Sequence, residues 1–240
     1  MTARSSRGRM SGCADGSASF HRAAAGSDGR VELGIGAGWY EAEHTAYGIP
    51  FPGTGERFDR LEETLAVVTG LWDTPTGETF DFEGRHVAVH DSPALPKPVQ
   101  TPRPPVIIGG RGKNRTPALA AHYADEFNAP FSSVPTCREL FARVRETCDE
   151  AGRDPDDLVL SNAQVLCVGS DEAELTRRAA FIGRDLADLR ENDLAGTPPE
   201  VLDRLAEYAA AGSSRVYLQT LDLTDLEHLD LVAAEVLPHL

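Results

Sequence analysis

The chain has 240 residues, 41% of them apolar, enough to build a core for one barrel-sized domain or two smaller ones. No stretch is long and apolar enough for a membrane span, and the arginine-bearing N-terminus has no apolar segment behind it, so it does not read as a secretory signal. The formal net charge is −15, yet residues 1–30 hold five Arg against two Asp, so the acidity falls on the rest of the chain, a body that repels phosphate backbones and disfavours nucleic acid as a partner.

Residues 1–29 are rich in Ser, Ala, Gly and Arg and show no apolar period, which predicts a disordered or non-native leader before a domain over 30–240. The character changes at Arg30. Val31 to Ile35 reads as a short buried strand running into Gly36, Ala37 and Gly38. A helix is expected where Phe58, Leu61, Leu65, Val68 and Trp72 recur at steps of three and four, with Arg60, Glu62 and Glu63 on its wet side. Residues 79–90 suggest a hairpin turning at Glu83-Gly84. The proline-rich run from Pro93 to Pro105 must be extended and superficial.

Strand–helix alternation resumes at Val106. Strands are expected at 106–108, 126–128, 158–168 and 216–219. Helices are expected at 116–124, 135–151, 171–188, from Thr197 to a stop at Gly212, and at 225–236. With 31–35, that makes five strands. Alternation of this kind implies a parallel sheet covered by helices, with ligand sites at the C-terminal strand ends.

Four cysteines occur, Cys13, Cys137, Cys148 and Cys167, without Cys-x-x-Cys spacing, which suggests a reduced, cytoplasmic protein. Cys137 and Cys148 fall within a predicted helix and read as inert. His86 and His90 come nearest to metal-ligand spacing but flank a strand-like run with no carboxylate pattern around it. They read as hairpin histidines, and no metal site is expected. No nucleophile–base constellation emerges, so no catalytic residue is named.

Two glycine-rich loops lie where a ligand site belongs. In Gly34-Ile35-Gly36-Ala37-Gly38-Trp39 a dinucleotide fingerprint fails, because Trp39 stands at its third glycine position. The glycines could still admit a flat ring beside the backbone; the alternative is tight strand–loop packing. The second loop, Gly109-Gly110-Arg111-Gly112-Lys113-Asn114-Arg115-Thr116, joins a buried strand to a helix. Backbone N–H groups and the positive helix end would make an anion pocket there, with Arg111, Lys113 and Arg115 as mobile positive charge. The alternative is a solvated basic turn.

The segments RVELGIGAGWYEAEHTAYGIPFPGTGERFDRLEETLAVVTGLW and PALPKPVQTPRPPVIIGGRGKNRTPALAAHYADEFN, with GTPPEVLDRLAEYAAAGSSRVYLQT near the end, resemble the luciferase-like monooxygenase superfamily, most closely its coenzyme F420-dependent branch. The resemblance implies an α/β fold, here an incomplete TIM-like (β/α)8 barrel holding strands four to eight with their helices. It implies an oxidoreductase or monooxygenase using coenzyme F420, with FMN as the alternative, and a small organic substrate. A homodimer is compatible with it. By position, Gly36, Ala37, Gly38 and Trp39 would lie beside the ring. Gly109, Gly110, Arg111 and Gly112 would receive the phosphate, and Asn128 and Ala129 would border the tail. Because VELGI resembles the family's fourth strand, the resemblance also leaves open an inactive, truncated remnant with residual phosphate binding.

Overall fold

The computed structural model describes Gly26 and residues 28–240, so the leader expected over 1–29 lies almost wholly outside the described residues. The chain divides into two units, Met1–Val106 and Ile107–Leu240.

The first unit opens with strand β1 (Leu33–Ile35), whose Leu33 is buried and donates its N–H to Pro105 O at 2.8 Å. The proline run is anchored here too, through the Gln100 side-chain amide on Val31 O at 2.7 Å. A short helix α1 (Glu41–Ala46), which no apolar period announces, precedes the long helix α2 (Thr54–Asp73). The predicted stripe is present: Leu61, Leu65, Val68 and Trp72 are buried. Val67 and Leu71 are buried as well, because a hairpin of β2 (Phe80–Glu83) and β3 (Ala88–Ser92) packs on that side with Val87, Phe80, Phe82 and Val89. Gly70 permits this approach, since a Cβ there would overlap the Phe80 ring.

The hairpin also corrects the reading of Glu63. Its carboxylate is only partly buried, yet it is not simply solvated. It accepts the backbone N–H groups of Arg85, His86 and Val87, each at 2.8 Å, and so ties the turn to α2. Partial burial works against the carboxylate, but the three N–H donors outweigh it and hold the pKa below the ordinary value.

The second unit is a run of parallel strands with covering helices. Strand β4 (Val106–Gly109) leads into helix α3 (Arg115–Tyr123), β5 (Glu126–Pro130) into α4 (Val134–Glu150), and β6 (Val159–Val168) into α5 (Glu172–Phe181). The helix expected over 171–188 is two helices. α5 stops at Phe181, Gly183 takes φ +69°, and α6 (Leu186–Asn192) begins again after the cap Asp185. A further strand, β7 (Leu194–Gly196), follows; three residues are too few to show a period. Helix α7 (Pro198–Ala210) starts as expected at Thr197, whose N–H and hydroxyl both donate to the Glu200 carboxylate, at 2.7 and 2.9 Å. Gly212 at φ +107° ends the turn after it. Strand β8 (Arg215–Gln219) and helix α8 (Leu226–Glu235) complete the unit.

In register, β4 lies beside β5 and β5 beside β6, while β6 pairs β8 along Ser161–Val165 and β7 along Leu166–Val168. All these pairings are parallel. Their C-terminal ends therefore gather the 109–114 and 131–133 loops on one edge of the sheet. The helices cover the sheet: Phe127 meets Phe141 of α4 edge to face, and Val165 and Cys167 pack on Leu175, Ala179 and Leu189. At the N-terminal ends, buried Glu126 accepts from Arg215 at 2.7 Å and from the Tyr217 hydroxyl at 2.9 Å. Among the described residues no helix is long and apolar enough to cross a membrane.

Helix α8 is held by a buried polar cluster. His228 Nε2 accepts the Val168 N–H at 2.9 Å, which requires the neutral ring. Arg178 donates to Val168 O at 2.7 Å and to Asp225 at 2.8 Å. Burial, with the Arg178 charge beside it, depresses the His228 pKa from 6.5. The unfolded chain then binds the extra proton first, so this contribution is complete above about pH 6.5 and is lost as pH falls toward the depressed value. His228→Asn is expected to flatten the acid limb of the stability profile between pH 7 and 5, measured by urea unfolding; an unchanged limb removes His228 from that role. Glu63→Gln is expected to cost about 1–3 kcal/mol in the first unit, the range for a charged acceptor lost to backbone donors. Tryptophan fluorescence reads this directly, since Trp39 and Trp72 both lie in that unit. Wild-type stability in the variant would show that the turn holds itself.

Candidate functional site

The 109–116 loop is shaped by what cannot fit into it. Gly109 stands opposite Asn128 in the parallel register, and a Cβ on it would press against Asn128 O at 3.3 Å. Gly110 takes φ +149°, where a side chain is strained, and its N–H donates to Asn128 O at 3.2 Å. A Cβ on Gly112 would collide with Thr116 Oγ1. The backbone therefore runs bare from the end of β4 into α3. In that helix the Ala118 N–H makes the first backward bond, to Asn114 O, and Pro117 has no N–H to satisfy. The amides of Arg115 and Thr116 precede that bond, at the positive end of the helix. The glycines leave space along this stretch where side chains would otherwise stand.

The adjacent wall is the end of β5. Asn128 is half-buried and donates Nδ2–H to Ser161 Oγ at 2.8 Å, which fixes its amide across β5 and β6. Ala129 has no exposed surface and packs in the sheet beside Asn162. Beyond it, Phe131 adopts φ +44°, an unusual backbone for a bulky residue, and its ring stays partly exposed.

The loop's charges are not equivalent, and here the expectation of three mobile cations is corrected. Lys113 is exposed on the loop. Arg111 is engaged: its Nε and Nη2 donate to Pro130 O at 3.1 and 3.0 Å, and Nη2 also meets Phe131 O. The structure thus joins Gly109, Gly110 and Arg111 to Asn128 and the residues that follow it.

Sequence reasoning missed Ser132. Its buried carbonyl accepts from Gln164 Nε2 at 2.7 Å, from the Tyr208 hydroxyl at 3.0 Å and from Cys137 Sγ at 3.4 Å. Those partners lie on β6, α7 and α4, and nothing in a lone serine announces them. Burial pushes the Tyr208 hydroxyl up, so it stays a donor. Asp193 was also missed: it is buried, its carboxylate accepts the Val165 N–H at 3.0 Å, and burial raises its pKa.

In the first unit, Gly36, Ala37, Gly38 and Trp39 form the turn after β1. Gly38 takes φ +76°, with the His44 ring close behind it. Trp39 is 81% exposed and lies against Tyr40, whose carbonyl accepts from His44 Nδ1 at 2.9 Å. The glycines thus serve a turn, and Trp39 presents its ring to solvent. His90 lies 3.4 Å from Glu83 on the hairpin. Among the described residues no group of three or more His, Cys, Asp or Glu side chains could hold a metal.

Comparison with known proteins gives this geometry a context. A family model described as luciferase-like monooxygenase matches residues 19–193. An FMNH2-dependent dimethylsulfone monooxygenase of Pseudomonas putida is 33% identical over 85 residues, covering 35% of this chain and 23% of that protein. An F420-dependent glucose-6-phosphate dehydrogenase of Microbacterium testaceum is 32% identical over 132 residues, 54% of this chain and 37% of that protein. The matched stretches are therefore well under half of these relatives' lengths. A solved F420-dependent secondary alcohol dehydrogenase, in complex with an F420-acetone adduct, superposes with a TM-score of 0.81 at 19% identity, covering 95% of this chain and 74% of that one. The fold is accordingly α/β with a parallel half-barrel sheet, like that of its barrel-forming neighbours.

The cysteines give a direct check on the packing around this site. Cys137, Cys148 and Cys167 are buried free thiols, and burial pushes Cys137 up to about 12. All three are expected to escape iodoacetamide at neutral pH in the folded protein and to react after denaturation, as read by mass spectrometry. Labelling of Cys137 in the native state would mean that the turn at Ser132 opens.

Proposed function

Because the chain belongs to the luciferase-like monooxygenase family, we propose that it is an oxidoreductase that receives the phosphate of a flavin or deazaflavin coenzyme in its 109–116 loop. The observation that carries this reading is the bare glycine loop at the C-terminal end of β4, closed by the α3 N-terminus and in register with Asn128. Gly109, Gly110 and Gly112 would admit the phosphate, and Lys113 would add charge at the rim. Asn128, locked on Ser161, would border the tail. In the first unit, the exposed ring of Trp39 and the turn Gly36–Gly38 are proposed to contact a planar ring system.

Coenzyme F420 is the preferred cofactor and FMN the alternative. The longer of the two sequence matches above, 132 residues against 85, is with an F420-dependent enzyme. When bound, the coenzyme would supply hydride chemistry or, as reduced FMN, dioxygen chemistry, acting on a small organic substrate. The protein's share is to bind, orient and exclude water.

The test is a fluorescence titration of the full chain with F420 and with FMN, alongside Gly110→Asp. The substitution puts a carboxylate and a strained Cβ where the phosphate should sit, and is expected to weaken binding by at least about a hundredfold. Equal affinity in the variant would remove the loop from the site.

A further inference from the structure

Arg111 has the position and charge of a phosphate ligand, yet its guanidinium is spent elsewhere. Resting on the phosphate reading above, we propose that Arg111 is a positioning residue: it locks the β4–α3 loop to the turn after β5 and holds the phosphate cradle in shape without gripping the phosphate.

The geometry is specific. One planar guanidinium spans two successive carbonyls, Pro130 O and Phe131 O, 19 and 20 residues away in sequence. Those carbonyls flank the residue with the left-handed backbone, Phe131 at φ +44°. A bulky residue persists there only when its surroundings over-determine it. The turn is tied on its other sides: the Phe131 N–H donates to Ala163 O at 2.8 Å, and Ser132 Oγ donates to Pro130 O at 2.9 Å. The Ser132 carbonyl is then gripped by Gln164 and Tyr208. All these ties join the turn to β6 and α7 or to itself. Arg111 joins it to the glycine loop, and glycine needs such restraint: with Gly109, Gly110 and Gly112 around it, the loop has little conformational preference of its own. A fork with fixed donor spacing can hold two carbonyls at once, whereas a lysine ammonium is a point charge and cannot reproduce that geometry.

This assignment separates two roles that charge alone confuses. A direct ligand would be replaced in large part by lysine; a clamp would not. The experiment compares wild type, Arg111→Lys, Arg111→Met and Gly110→Asp as full chains. Each is titrated with FMN and riboflavin, and with F420 and its unphosphorylated deazaflavin precursor. Amide exchange at Phe131, Ser132 and Ser133 is followed in parallel. For a clamp, Lys and Met variants alike lose about tenfold in affinity for the phosphorylated ligands, the scale of a charge-assisted hydrogen bond. Both keep wild-type affinity for the unphosphorylated partners, and both exchange faster at the turn. Retention of phosphate affinity in Arg111→Lys with loss in Arg111→Met would make Arg111 a direct ligand and overturn the proposal. Wild-type affinity and exchange in both variants would overturn it equally. A wild type that does not distinguish phosphorylated from unphosphorylated ligands, or a Gly110→Asp chain that binds normally, sinks the phosphate reading and the role of Arg111 with it. That failure is recognisable without any Arg111 variant.

Discussion

A parallel strand with a neighbour on each side and helices over its face has no water to satisfy its polar groups, and β6 is where the second unit meets this constraint. Ser161, Asn162 and Gln164 have no exposed surface. Each found a partner on a different element: Ser161 with Asn128 of β5, Asn162 with the Ser213 hydroxyl at 2.6 Å, Gln164 with the Ser132 carbonyl. The cost is not fully met, since Asn162 Nδ2 and Gln164 Oε1 are buried without a partner. What the arrangement yields is position. The bonds of Ser161 and Gln164 fix the end of β5 and the turn beyond it, which border the candidate site.

A second regularity runs through both units. Where the chain leaves a regular element, a charged side chain from elsewhere in sequence closes the backbone. Glu63 takes three N–H groups of the hairpin turn, Lys97 donates to Leu71 O near the end of α2 at 2.7 Å, Arg178 donates to Val168 O at the end of β6, and Arg111 serves the turn after β5. Buried or half-buried backbone groups need partners, and an ionised side chain forms the stronger bond. In an acidic protein with only 23 Lys and Arg, even the cation beside the glycine loop is engaged with backbone carbonyls.

The family gives the site its context and leaves its specificity open. Neighbours of the same fold at under 25% identity differ in their named activities, among them an alcohol dehydrogenase and an alkane monooxygenase. A shared fold therefore goes with different named activities.

The sequence alone determined the alternation of strands and helices, the α/β class, the family and the two glycine turns. These are written locally. Apolar periods of two or of three to four residues mark elements, Thr197 with Pro198 and Pro199 marks a helix start, and positions such as Gly38 and Gly110 take backbone angles that glycine adopts freely. It also announced β6 as a longer strand. Tertiary structure alone decided how side chains are used. Arg111 reaches 19 residues to Pro130, and Tyr208 reaches 76 residues back to Ser132. Glu63 closes a turn 22 to 24 residues away, and His228 accepts from β6 across 60. No local period records a partner at such a distance. The break between α5 and α6 and the three-residue strand β7 escaped the sequence for a related reason: each is fixed by what packs on it, Leu189 and Leu194 going fully inside, rather than by any repeat long enough to read.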